Sequence, residues 1–502
     1  MKKLNRTNFN SNRYPERVIQ FGEGNFLRAF VDWMIDHANQ AGIFQGSVVV
    51  VQPIAQGLAD KINEQDGLFT VVTRGLQNGK PVVKRNLVSS ISRALNAVSE
   101  WEQVLACAAD PDIDILVSNT TEAGITYVPT DSLEQTPPSS FPGKVCAYLY
   151  HRYKTFAGAQ DKGMLILPCE LIENNGGNLQ EIVIKLAEDW KLEAEFIDWI
   201  KTANVFCNTL VDRIVTGYPG VEEVAEICAE LEYDDQLLTT AEIFHLWVIE
   251  APNGTSARFP LHEAGLNVKW VEDLTPYRTQ KVRILNGAHT SSYALSYLAG
   301  FDHVREATED KIVGEFIKSV VFSEIIPTVA MGQDELSEFA AEVIQRFKNP
   351  FIQHRWLDIS LNAVSKFKVR VLPSLLPYLE KEQVPPLLSL AFAGLINFYR
   401  SNELTADGLA CANFEREYTV RDDRAALEFF DELWRSAGDN YTAVAEQVLS
   451  QTDFWGDDLT KYHELVGQIA SYLESMNTVG VVKTIEAALE KSSRSVDYVQ
   501  TY

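Results

Sequence analysis

Between Arg17 and about Val271 the chain alternates short apolar, β-branched runs with longer stretches whose apolar positions recur every three or four residues. Such alternation is the signature of an α/β domain with a largely parallel sheet. Strands are predicted at Val18 to Phe21, Val48 to Val51, Ile113 to Ser118 and Met164 to Pro168. Helices are predicted between them, including Asn25 to Ala41 and Leu179 to Thr202. After about Pro276 the β signal fades and amphipathic segments follow one another, as at Asp310 to Glu324, Asp334 to Phe347, Val384 to Tyr399, Ala425 to Ser436 and Leu459 to Met476. The expected fold is therefore an α/β N-terminal domain over residues 1–275 and a mainly α-helical C-terminal domain over residues 276–502.

Composition narrows the function. The 502 residues are long enough for more than one packed core, and 46% apolar with 23% charged residues is the balance of an ordinary globular protein. With 69 acidic against 44 basic residues the net charge is -25, which opposes nucleic acid as a partner. An anionic small molecule would have to be held by a local basic cluster. No stretch approaches the ~18 apolar residues of a membrane span, and Met1 to Arg17 is polar and basic, without the apolar segment of a secretion signal. The six cysteines are scattered without metal-ligand spacing, so they read as free thiols in a reducing cytoplasm, and no metal site is expected.

Two stretches carry candidate chemistry. Gly22-Glu23-Gly24-Asn25-Phe26-Leu27-Arg28-Ala29 follows the first strand and opens a helix, where a Rossmann-type fold places its pyrophosphate turn. Gly22 would permit the tight turn, Gly24 the close approach of backbone to phosphate, and the helix start would offer unpaired N–H donors. The next strand ends in Gln52-Pro53 where an acid usually holds the adenosine ribose, and no Arg or Lys between Gln52 and Ala59 welcomes a 2′-phosphate; NAD is favoured over NADP. Asn119 to Gly124, with Thr121 and Glu122, follows another strand and would reach the same sheet edge.

The second stretch runs from Lys281 through Asn286 to His289. On a 3.6-residue period Asn286 and His289 lie one turn apart, and Lys281 falls near the same face. A partly desolvated lysine beside an amide donor suits proton transfer to a forming alkoxide without a metal. Lys366 and Arg370, spaced i and i+4, could present a joint site for an anion.

Together these motifs, with Asp66 to Thr70, Pro168 to Gly176, Thr209 to Gly217 and Arg346 to Pro350, resemble the long-chain polyol-specific dehydrogenases, the mannitol dehydrogenase family, and most closely its uronate branch. The resemblance covers nearly the whole chain. It implies a Rossmann-type domain followed by a helical one, with substrate held between them. It implies NAD as cofactor, a sugar-acid substrate and no metal: reversible reduction of the keto group of tagaturonate to altronate in hexuronate catabolism. Fructuronate or a mannitol-type polyol is the alternative substrate, and a catalytically silent NAD-binding protein the alternative outside enzymes. By the same resemblance Lys281 is the general acid and base, Asn286 an oxyanion donor, His289 a substrate-orienting residue, Asp212 an acid beside cofactor and substrate, and Lys366 a substrate-side lysine. Gly22, Gly24, Phe26 and Arg28 match the dinucleotide-binding stretch. One departure stands out. The mannitol enzymes carry a second oxyanion asparagine where this chain has Leu171, which leaves Asn286 alone, brings in Asn174 or Asn175, or seats the carboxylated substrate differently.

Overall fold

The computed structural model describes residues 1–121 and 123–499. By its internal contacts the chain separates into two compact units, one of Met1–Gly75 and Val82–Leu274, the other of Leu76–Pro81 and Thr275–Tyr502.

The first unit is built on a six-stranded sheet. Its strands in chain order are β1 (Glu16–Phe21), β2 (Ser47–Gln52), β3 (Ile91–Asn96), β4 (Ile115–Ser118), β5 (Leu165–Pro168) and β6 (Val205–Phe206). They lie side by side as β3-β2-β1-β4-β5-β6, every pair parallel. That order reverses direction at β1 and β4, and ligands of such sheets bind outside the strand ends at the reversal. Alternate residues explain why the strands are continuously apolar. Val48 and Val50 enter one core with Val18 and Ile115, whereas Val49 and Val51 enter a second core with Ile19 and Leu116, so both faces are dry.

Three further sheets were not foreseen, the smallest a parallel pairing of Lys2–Lys3 with Tyr233–Asp234. Phe69–Gln77 and Lys80–Val88 pair within a four-stranded sheet, joined through Asn78 and Gly79 at φ 52° and 72°. Asn208–Asp212, Leu246–Glu250 and Val268–Val271 form a three-stranded sheet. The helical run expected from Leu179 to Thr202 is two helices, Asn175–Asp189 and Ala194–Ala203, broken where Lys191 takes φ 55°.

The second unit is mainly helical. Its centre is Pro386–Phe398, in which every side chain from Leu387 to Phe398 is buried, packed on the almost equally buried Gly287–Leu298. Gly394 permits the contact, because a Cβ there would lie 2.8 Å from Leu295. A small antiparallel sheet of Glu403–Leu404, Leu409–Asn413 and Arg416–Val420 interrupts the helices, against the expectation that strands end near Pro276.

Candidate active site

The glycine turn is held by three strand ends. After β1, Gly22 takes φ +121°, and a Cβ there would lie 2.9 Å from the carbonyl oxygen of Asn119, which follows β4. The position therefore demands glycine on conformational and steric grounds. Gly24 has open space where its side chain would be, and the helix starting at Asn25 continues through a π turn at Arg28–Asp32 to Gln40. The site thus offers exposed backbone, a helix start and room, the features a pyrophosphate requires.

Arg28 supports this turn from beneath. Its buried guanidinium donates to the carbonyl oxygen of Glu23 (3.2 Å), to Oδ1 of Asn25 (2.7 Å) and to the carbonyl oxygen of Leu237. Phe26 leans inward, stacked on Phe30 with ring centroids 5.0 Å apart, against the core that holds Val18 and Leu27. Asn25 is half-buried and Thr121 exposed; Glu122 lies outside the described residues.

Glu170, absent from the sequence-derived candidates, fixes the neighbouring loop. Its buried carboxylate accepts from the Ser118 hydroxyl (3.0 Å), the Thr120 N–H (2.9 Å) and the Thr120 hydroxyl (3.0 Å). Burial raises its pKa, with these donors pulling the other way. Asn119 Nδ2 donates to the Cys169 carbonyl at 2.7 Å, so β4 and β5 end in one braced platform. Leu171 is 63% exposed just beyond it.

Asn175 is no substitute for the missing oxyanion donor. Its buried Nδ2 bonds the carbonyl oxygens of Pro168 (3.0 Å) and Glu170 (3.1 Å), and its Oδ1 accepts from the Thr209 N–H at 2.9 Å. Its amide is spent on joining β5 to Asn208–Asp212. Asn174 is exposed, at φ 54°, with Nδ2 3.4 Å from Asn178 Oδ1. Asp212 is buried at the end of its strand, opposite Leu246.

In the second unit Lys281 and Asn286 are the first and last residues of a π turn set between the helices Thr275–Gln280 and Gly287–Leu298. In an α-helix five residues separate side chains by roughly 140°. The wider i→i+5 winding returns Asn286 a little more than one turn beyond Lys281, closer to its face. The regular 3.6-residue winding assumed from the sequence is interrupted here by the π turn.

His289 follows on regular helix. Its ring stacks on Phe347 at 4.2 Å and meets His354 edge-on at 4.8 Å, and its Nε2 is shut off from solvent. Burial, followed by the positive fields of His354, Arg346, Arg370 and Lys366, holds its pKa well below the usual imidazole value. Lys366 donates from Nζ to the Ile359 carbonyl at 3.1 Å, and Arg370 reaches Thr290 Oγ1 at 3.5 Å. Burial lowers the pKa of both, with Arg370 adding to the effect on Lys366. His289, Lys366 and Arg370 are therefore neighbours, joined by Arg346 and His354. The Arg346 to Pro350 motif held the signal for Arg346; nothing in the sequence singled out His354.

Among the described residues no group of three or more His, Cys, Asp or Glu is placed to hold a metal ion, and no helix is long and apolar enough to cross a membrane.

Comparison with known proteins agrees with these features. The Mannitol dehydrogenase Rossmann domain matches residues 16–263, and the Mannitol dehydrogenase C-terminal domain matches residues 273–477. An altronate oxidoreductase of Bacillus subtilis (strain 168) is 44% identical over 97% of this chain and 98% of its own length. One from Pectobacterium carotovorum subsp. carotovorum (strain PC1) is 43% identical over 97% and 99%. Among solved structures, a Pseudomonas fluorescens mannitol 2-dehydrogenase in ternary complex with NAD and D-mannitol is 22% identical with a TM-score of 0.67, covering 97% of this chain and 100% of that one. A D-sorbitol dehydrogenase in substrate-free form is 24% identical with a TM-score of 0.76, covering 94% and 95%. Matched along both of its units, with relatives of this identity over nearly their full length, the chain belongs to the mannitol dehydrogenase family.

Proposed function

We propose that this protein is an NAD-dependent oxidoreductase that reduces the keto group of tagaturonate to altronate and catalyses the reverse oxidation. Relatives named altronate oxidoreductase, 42% to 44% identical over 97% of the chain, supply the substrate class. The structural observation that carries it is the gathering of Lys366, Arg370 and Arg346 about His289 in a chain of net charge -25. Such a concentration of cations against the overall field suits a substrate carrying a carboxylate, which a plain ketose lacks.

The turn at Gly22 and Gly24, with Asn25 and Thr121 beside it, would hold the dinucleotide. When bound, NADH supplies the hydride equivalent for the carbonyl carbon. Lys281 gives the proton taken up by the forming alkoxide, and Asn286 donates an N–H to the same oxygen. In the oxidative direction neutral Lys281 accepts that proton. His289, kept neutral by its surroundings, orients a substrate hydroxyl, and Lys366 with Arg370 binds the carboxylate. Asp212 completes the polar surroundings of substrate and cofactor. The buried free thiols and the absence of a membrane-crossing helix among the described residues suit a cytoplasmic enzyme of sugar-acid breakdown, with no nucleic-acid partner.

Incubation of the protein with altronate and NAD, with chromatographic identification of the product, tests the reading. Formation of NADH together with tagaturonate supports it. Absence of both when the protein demonstrably binds NAD contradicts it.

A further inference from the structure

The end of β2 lacks the acid that ordinarily receives the ribose hydroxyls of a dinucleotide, and Gln52 does not replace it. Its Nε2 donates to the Ile54 carbonyl at 2.7 Å, and its Oε1 accepts from the Ala59 N–H at 3.0 Å, so the amide is committed to bracing residues 54–59. An acid nevertheless reaches this place from the other strand. Glu23, inside the glycine turn after β1, directs its carboxylate across to the loop after β2. A Cβ built on Gly57 would lie 2.3 Å from Glu23 Oε1 and 2.6 Å from Gln52 Oε1. Gly57 has no positive φ to explain its identity; what it provides is the space that this carboxylate occupies.

The surroundings are those of a ribose site. β1 and β2 are adjacent and parallel, with Phe21 opposite Val51, so the two following loops line the same sheet edge. Ile54, in the same loop after β2, is 63% exposed and offers an apolar side chain suited to the face of a purine. Glu23 is half-buried and anchored through its own carbonyl by Arg28. Burial raises the pKa of Glu23, while its own backbone N–H, the charge of Arg28 and the Leu58 N–H pull the other way. A carboxylate has about four lone-pair sites, which leaves acceptor capacity for two vicinal hydroxyls.

We infer that Glu23, from within the glycine turn, recognises the 2′- and 3′-hydroxyls of the adenosine ribose and repels a 2′-phosphate, in place of the acid missing at the end of β2. The inference rests on the NAD-dependent reading above. Its content is a specificity residue at an unusual position, made possible by Gly57.

Equilibrium binding of NADH and of NADPH, followed by nucleotide fluorescence without substrate, provides the test on the wild type, Glu23→Gln and Gly57→Ala. Glutamine keeps the volume and an acceptor for Leu58 but loses the charge. A charge-assisted hydrogen bond lost from the ribose should weaken NADH binding about tenfold or more. Wild-type preference for NADH should be about a hundredfold and should fall below about tenfold in Glu23→Gln, as repulsion of the phosphate disappears. Gly57→Ala displaces the carboxylate from the other side and should shift the preference in the same direction. Wild-type preference retained in both variants would overturn the inference while leaving NAD dependence intact. A wild type that binds neither nucleotide would instead overturn the cofactor reading, and this inference with it.

Discussion

The imidazole of His289 lies nearly parallel to the ring of Phe347, with centroids 4.2 Å apart and planes 21° from coplanar. The stack seals the histidine on one side, and the surrounding cations disfavour its protonation on the other. A histidine whose folded-state pKa lies below its unfolded value destabilises the fold as pH falls through the unfolded value, because the unfolded chain takes up the proton first. The His289 ring protons should therefore show no titration between about pH 6 and 8 by NMR. Phe347→Ala should admit water and bring a titration back toward the ordinary imidazole range. A His289 that titrates normally in the wild type would remove the neutral, hydroxyl-orienting role.

Lys281→Ala should lower kcat by about 10²- to 10⁴-fold, the usual loss for a general acid and base, and leave NADH affinity nearly unchanged. Stopped-flow reduction together with a separate binding titration distinguishes the two effects. Turnover near the wild-type rate would show that the proton comes from elsewhere.

Lys366→Ala should raise the KM for a uronate far more than the KM for any neutral ketose, because only the former offers a carboxylate to the Lys366 and Arg370 pair. Steady-state kinetics on both substrates would reveal the difference. Equal effects on both would assign Lys366 to structure, where its bond to the Ile359 carbonyl already places it.

Asp32 carries a pH-dependent cost that is independent of the reaction. Burial pushes its carboxyl up to about 7, against one donor, Gln20 Nε2 at 3.1 Å. With a folded-state pKa above the unfolded value, stability falls as pH rises from about 4 to about 7. Asp32→Asn should flatten this part of the pH profile and raise Tm at pH 8 while changing little near pH 4, the shift corresponding to at most a few kcal/mol. It also offers a donor where Gln20 Oε1 has none. Equal melting shifts at both pH values would refute the titration argument.

The parallel sheet was legible because both its faces are buried: Val48 to Val51 can be continuously apolar only in such a setting, and the glycine turn after Phe21 gave the direction of the edge. The hairpin at Phe69–Gln77 and Lys80–Val88 was not recognised, since much of its second strand is exposed and polar. The dipeptide Asn78-Gly79, both at positive φ, was the available signal. The basic pair Lys366 and Arg370 was readable from i,i+4 spacing, whereas the stack of Phe347 on His289 joins residues 58 positions apart and leaves no local mark. Periodicity failed at Lys281 for a related reason. A π turn changes the winding without changing the residue types, so a 3.6-residue wheel does not describe the path from Lys281 to Asn286. Asn175 shows the limit of choosing side chains by chemistry alone: its amide was eligible as an oxyanion donor until its partners at Pro168, Glu170 and Thr209 were seen.

The account is tested most directly by following NADH oxidation by the purified protein with tagaturonate, fructuronate and fructose in parallel, in the presence of EDTA. It predicts rapid oxidation with tagaturonate, much less with fructuronate and least with fructose, undiminished by the chelator. Preference for fructose, or an equal response to all three, would contradict a site built for the carboxylate of tagaturonate.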